Sequence, residues 1–233
     1  ELVIAVMRRT YRRGISLVFV AVAAAAGTTG AETINGFTSG MNLILSATGN
    51  TVTPVLNNAA AGASDALTIT MNASGNIDVG AATVANVETL TIDVTEATAS
   101  TNVRAGTIGL TLTQTTVANS GSGAAQTVNI VGTESLTIDT AVAANTIDAS
   151  GMGARAATAA GLTMSNVVTA TAAIAGQTVT GSGGVDTLYG STGGDTVSGG
   201  AGADTFHTST GADTIDGGDG LDTYTTTGMV GAN

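Results

Sequence analysis

Apolar and polar residues alternate with a period of two through much of the chain. Leu67–Met71 (LTITM), Val87–Val94 (VETLTIDV), Gly109–Gln114 (GLTLTQ), Gln126–Val131 (QTVNIV), Glu134–Thr140 (ESLTIDT) and Asn145–Ala149 (NTIDA) put an apolar residue at every second position. Thr fills most of the places between. A period of two is that of a pleated strand with one buried face, and Thr, Val and Ile suit such a strand. Small-residue loops such as Ala118–Ala125 (ANSGSGAA) separate the runs. A short helical turn is expected only at the Ala run 21–26 and at Gly151–Leu162 (GMGARAATAAGL). VETLTID at 87–93 returns as TESLTID at 133–139, which suggests a repeated multi-strand unit.

Beyond Ala175 the period changes from two to nine. Five units run head to tail from Gly181 to Thr225: GSGGVDTLY, GSTGGDTVS, GGAGADTFH, TSTGADTID and GGDGLDTYT. Asp holds the sixth place of each unit (Asp186, Asp195, Asp204, Asp213, Asp222). An apolar residue holds the eighth (Leu188, Val197, Phe206, Ile215, Tyr224). This is G-G-x-G-x-D-x-U-x, the pattern of a calcium-binding parallel β-roll. Six places make a turn and three a short strand, so two units make one coil.

Stacked coils lie about 4.7–4.9 Å apart. Stacking puts Asp186, Asp204 and Asp222 on one edge and Asp195 and Asp213 on the other. Two carboxylates about 5 Å apart repel by roughly 3 kcal/mol at an effective dielectric near 20. A cation should therefore hold the roll closed. Ca²⁺ takes 6–8 oxygens from carboxylates and carbonyls. Sites are expected between Asp186 and Asp204, Asp204 and Asp222, and Asp195 and Asp213. Turn carbonyls, from Gly181, Gly183, Gly199, Gly202, Gly217 and Gly220, would complete the shells.

The fourth unit opens with Thr208, Ser209 and Thr210 in place of glycine, so the Asp195–Asp213 site is expected to be poor. Asp216 and Asp219 stand outside the column and are expected to be solvated. Ala175–Thr180 (AGQTVT) reads as a decayed unit, with Gln177 in the Asp place and Val179 in the apolar place. Such a unit would cap the roll without binding metal.

The chain has 233 residues, a net charge of −11 and neither Cys nor Lys. No disulfide framework exists. Four of the six basic residues are Arg8, Arg9, Arg12 and Arg13; beyond them stand 16 acids and only Arg104 and Arg155. Nucleic acid is excluded as a partner, because no basic patch could neutralise phosphates. With 3% aromatics and one Pro, regular backbone pairing and small side chains must hold the fold.

Residues 1–30 form an N-terminal segment of uncertain role. Its basic start, short apolar run and small residues make a secretory signal pattern; the same residues also read as a β-strand pair. The apolar run is too short for a confident membrane span, and none is expected in the mature protein. Residues 31–175 form a Thr/Ala-rich β domain, a sheet or a β-solenoid. Residues 176–233 form the roll. The fold class is all-β.

ETLTID-like strands followed by GGxGxD repeats resemble bacterial surface-layer proteins of the RTX type, and RTX adhesins more broadly. The specific likeness covers residues 181–225. It implies Ca²⁺ bound through Asp186, Asp195, Asp204, Asp213 and Asp222, folding after export, and self-assembly into a lattice or filament at the cell surface. An envelope polysaccharide is a further partner so implied. The alternatives are a fragment of an RTX adhesin and the non-catalytic tail of a secreted hydrolase.

No enzyme is expected. A zinc protease needs H-E-x-x-H, and the only His is His207, at a ninth place on the roll surface. A lipase needs G-x-S-x-G, which does not occur. Glu88 with Asp93, and Glu134 with Asp139, are five apart on one strand and point to opposite faces. They are expected to be solvated or minor calcium ligands.

Overall fold

Thr, Val, Ile and Leu at alternating positions favour extended backbone, and the chain folds as strands with no helix among the described residues. The computed structural model describes residues 2–10, 16–24, 31–37, 39–45, 51–56, 65–71, 77–85, 87–95, 105–113, 126–140, 142, 144–153, 160–164, 176–208 and 210–226. In chain order the strands are β1 (Leu2–Thr10), β2 (Ser16–Ala24), β3 (Ala31–Phe37), β4 (Met41–Leu45), β5 (Thr51–Leu56), β6 (Ala66–Met71) and β7 (Ile77–Ala85). Next come β8 (Thr89–Val94), β9 (Ala105–Thr113), β10 (Thr127–Gly132), β11 (Ser135–Ile138), β12 (Thr146–Met152) and β13 (Ala160–Met164). The last six are β14 (Thr178–Thr180), β15 (Val185–Tyr189), β16 (Thr196–Ser198), β17 (Thr205–Thr208), β18 (Thr214–Asp216) and β19 (Thr223–Thr226).

From β2 onward the chain alternates between two sheets. One has the order β1-β2-β4-β6-β8-β10-β12-β14-β16-β18, the other β3-β5-β7-β9-β11-β13-β15-β17-β19. All pairs are parallel except the antiparallel β1–β2. Two strands therefore make a coil, and the coils stack as a β-solenoid. The sheets continue across residue 176, where β12 pairs with β14 and β13 with β15. What changes there is the coil: stacked residues of the roll are 18 apart.

The core lies between the sheets. Leu67, Leu90, Val128, Ile147, Val179 and Val197 stack in direct register on the inner face of the first sheet, and all are buried. Ile108, Leu136, Ile138, Leu162, Leu188 and Phe206 face them from the second. Each is worth about 1.5–3 kcal/mol when fully buried. The outer face carries a ladder of Thr89, Thr127, Thr146, Thr178, Thr196 and Thr214.

All six strands expected from the period of two are present, with ends shifted by a few residues. The helical turns are not. Ala21–Ala24 lie in β2, Gly151 and Met152 end β12, and Ala160–Leu162 begin β13. Ladder pairing with neighbouring coils overrides the helix preference of Ala there. Residues 25, 26 and 154–159 lie outside the described residues, as do those of the 118–125 loop. Within residues 1–30, Leu2–Thr10 and Ser16–Ala24 pair as the antiparallel strands β1 and β2, and the other positions lie outside the described residues. The duplicated heptapeptides fall on opposite sheets, in β8 and β11. Their spacing is thus one and a half coils, not a whole number.

Candidate metal centre

Stacking at 18 residues brings the sixth-place Asp residues into two columns, Asp186–Asp204–Asp222 and Asp195–Asp213. Each carboxylate reaches back one coil. The Asp186 N–H donates to Asp204 Oδ1 (2.9 Å), the Asp204 N–H to Asp222 Oδ1 (3.0 Å) and the Asp195 N–H to Asp213 Oδ1 (3.1 Å). Asp186 and Asp204 are fully buried, and Asp195 nearly so. One oxygen of each carboxylate is thus committed to the ladder. The question is what the other oxygen meets.

The turn glycines answer it. A Cβ on Gly181 would collide with Gly199 O and press on Asp186 Oδ2; one on Gly199 would collide with Asp204 Oδ2 and crowd Gly217 O. The missing side chain therefore lets a carboxylate oxygen and the carbonyl of the next coil approach each glycine closely. Gly217 repeats the contact with Asp222 Oδ2. Gly202 (φ 134°) and Gly220 (φ 147°) take a backbone that L side chains rarely adopt, and a Cβ there would strike Gly184 O and Gly202 O. Carbonyls of successive coils thus stack beside the Asp column. Gly183 instead donates its N–H to Met152 O at 3.4 Å.

Asp204 Oδ2 is buried with no hydrogen-bond partner. An unpartnered buried carboxylate oxygen is costly, and this one lies close to Gly199, which the Gly217 carbonyl also approaches. The donor set is carboxylate and main-chain oxygen, which suits a hard cation. No cluster of three or more His, Cys, Asp or Glu side chains occurs among the described residues. The electrostatics agree. Burial raises the Asp186 carboxyl from 3.8 to about 6; hydrogen bonds from Ser182 and Leu162 pull it down, and the Asp204 charge pushes it up. Asp204 is also raised, by burial first and then by Asp222.

Residues 180–215 and 198–227 match the RTX calcium-binding nonapeptide repeat, in four copies. RTX nonapeptide repeats bind calcium. No curated protein and no solved structure matches the chain.

Within the RTX segment the sites are not equal. Ser182 donates its N–H to Asp186 Oδ2 (2.7 Å) and its hydroxyl to Asp186 Oδ1 (2.8 Å). Ser191 does the same to Asp195, at 2.7 Å twice. These serines, in the second place of their units, compete with a cation for the carboxylate. Sequence reasoning passed over them. Their signal was present, since the third unit has Gly200 at that place and Asp204 is left with the free oxygen. On the other edge, the three atoms nearest a Cβ on Gly190 all belong to Asp195 itself. Thr208 stands where the next coil would bring a glycine.

Asp216 and Asp219 are exposed, as expected; Asp216 Oδ1 accepts the Gly218 N–H at 3.2 Å. His207 is half-buried and stacks on Tyr189, with ring centroids 4.1 Å apart. Burial lowers its basicity. Tyr224 is 51% exposed although it holds an inward place, because no further coil covers it among the described residues; its ring stacks on Phe206 at 5.2 Å.

Of the four carboxylates in the duplicated heptapeptides, Asp139 is exposed and Asp93 half-buried, and the two glutamates differ from the solvated expectation. Glu88 and Glu134 are buried, not solvated. Glu88 Oε2 accepts the Asp65 N–H at 2.8 Å, the same back-reach that the RTX aspartates make. Register places Asp65, Glu88, Gln126, Asn145, Gln177, Asp195 and Asp213 in one column, each just before a strand of the first sheet. The polar column runs far upstream of the nonapeptides, hidden in the sequence by unequal turns.

Proposed function

We propose that this chain is a calcium-dependent structural protein of the cell exterior, one that folds after export and assembles with copies of itself into a surface layer or filament. The observation that carries the calcium part is Asp204 Oδ2, buried without a partner where Gly199 and the Gly217 carbonyl come close together. When bound there, Ca²⁺ supplies the positive charge that the Asp186–Asp204–Asp222 column lacks. The chain supplies the rest. Asp204 and Asp222 hold adjacent coils in register through their Oδ1 atoms, and the glycines let main-chain oxygens come close to the carboxylates. We assign the main sites to Asp186–Asp204 and Asp204–Asp222, and a weaker one to Asp195–Asp213.

The structural role rests on the solenoid itself. Its buried polar groups serve coil stacking, and Glu88 is taken up in it through the Asp65 N–H. No part of this reading gives the chain an enzymatic activity. Low calcium inside a cell and millimolar calcium outside would make folding wait for export.

Calcium titration of the full chain tests the first part. Far-UV circular dichroism should gain β signal with a midpoint on the order of 10⁻⁴–10⁻³ M, the range of extracellular modules. A spectrum indifferent to calcium and to chelator would sink it. Electron microscopy tests the second: ordered sheets or fibres with millimolar Ca²⁺, dissolved by chelator. A strict monomer in sedimentation at every calcium concentration overturns assembly and leaves the calcium reading standing.

A further inference from the structure

The column that holds Asp195 and Asp213 continues upstream through Gln177, which is 2% exposed. Gln177 Nε2 donates to Val142 O and Ala144 O, both at 2.8 Å, across to the preceding coil. Two acceptors on one atom identify it as the nitrogen of the amide. Gln177 Oε1 is buried with no partner, so the side chain is held by what it donates. Gathering carbonyl oxygens between coils is what a cation would do in the RTX turns. Gln126, 6% exposed in the same column, also bonds a carbonyl of the coil before it, Val87 O, at 3.1 Å. Below Gln177 the side chains of the column are carboxylates; at Gln177 the charge disappears and an amide N–H₂ takes its place.

We propose that Gln177 is a built-in substitute for a cation, which locks the coil junction above the RTX segment without metal and gives the calcium-dependent coils a preformed edge on which to stack. The inference rests on the reading of the RTX segment as calcium-dependent, and deepens it by setting where that dependence stops. The Gln177 N–H donates to Asp195 Oδ1 at 2.7 Å, so the metal-free junction directly seats the first ladder aspartate of its edge.

Hydrogen exchange on the full chain, in chelator and with calcium well above the titration midpoint, tests this. The Thr178 N–H (to Asn145 O) and the Thr146 N–H (to Gln126 O) report the junction and the coil above it. The Asp186 and Asp204 N–H groups report the RTX coils. In the unmodified chain the first pair should be protected in both conditions, and the second pair only with calcium. Gln177→Met, which keeps volume and removes the donors, should lower Thr178 protection by about tenfold or more in both conditions. Gln177→Glu should lower it in chelator and regain it with calcium, because a carboxylate there recruits the ion the amide replaced.

Thr178 and Thr146 exchanging in chelator as freely as Asp204 overturns the proposal. So does identical behaviour of Gln177→Met and Gln177→Glu in calcium. Should Gln177→Glu fail to fold in both conditions, unchanged Thr178 protection in Gln177→Met overturns it. Asp204 protection that ignores calcium instead removes the calcium reading, and leaves Gln177→Met to decide the role of the amide.

Discussion

Replacing Asp204 by Asn separates the two roles of the carboxylate, because they have opposite signs. Asn keeps an oxygen for the Asp186 N–H (2.9 Å) and removes a charge flanked by Asp186 and Asp222. Without metal, that charge is a burden. It is fully buried, one oxygen has no partner, and repulsion across a coil spacing is roughly 3 kcal/mol at most for each neighbour. Asp204→Asn should therefore stabilise the roll in chelator, by about 1–3 kcal/mol after the usual screening. With calcium the sign reverses. Each site contributes about 1.4–2.7 kcal/mol at ion concentrations 10–100 times its Kd, and Asp204 belongs to two proposed sites, so about 3–5 kcal/mol of calcium response should vanish. The assay is thermal unfolding of the full chain followed by circular dichroism, in chelator and with calcium at about 10–100 times the Kd. The two melting curves, well apart for the unmodified chain, should nearly merge for Asp204→Asn. Lower stability in both conditions would refute the reasoning, since Asp204 would then be a structural ladder residue only. Asp213→Asn, on the weaker edge, should remove less of the response.

The remaining predictions concern the same roll. In chelator it should be more stable at pH 5 than at pH 7.5, by roughly 1 kcal/mol from Asp186 alone: its folded carboxyl titrates at about 6 against 3.8 unfolded, so folding takes up a proton in that window and stability falls as pH rises through it. A urea titration at the two pH values checks the sign. Ser182→Gly copies the third unit; it should loosen the metal-free roll by about 1 kcal/mol and strengthen calcium binding at Asp186, read by calorimetry. Gly202→Ala adds a Cβ at φ 134° against Gly184 O; it should cost about 1–3 kcal/mol or more and abolish the circular dichroism response to calcium.

The all-β class, the six upstream strands and the division of the aspartates into edges of three and two were legible in the sequence. Each depends on strict local periodicity, two in the strands and nine in the roll. The single continuous solenoid was less legible. Its upstream coils vary in length, so Glu88, Gln126, Asn145 and Gln177 share a column that no fixed period reveals. Gln177 was expected in the Asp place of a decayed unit, and register puts it in that column, where its amide bonds the preceding coil. The burial of Glu88 and Glu134 was missed, because a charged residue before a strand looks solvated until a neighbouring coil is laid over it. The helical turns failed for a related reason: Ala preference is a few tenths of a kcal/mol per residue, and a ladder of parallel hydrogen bonds outweighs it.

The unequal upstream turns have a consequence for how such a chain can change. Thr89 stacks on Thr127 and Thr127 on Thr146, although the lengths of chain between them differ about twofold. Spatial pitch is set by the strands and is indifferent to the contour length of the connection. Insertions and deletions in the turns should thus leave every column in register, and loops of new sequence can be grafted along the upstream edges as on a rack. The 18-residue roll has no such freedom, since its turns are the site. One scaffold then holds a permissive stretch, open to diversification, beside a stretch in which a single added residue should break the 18-residue stacking.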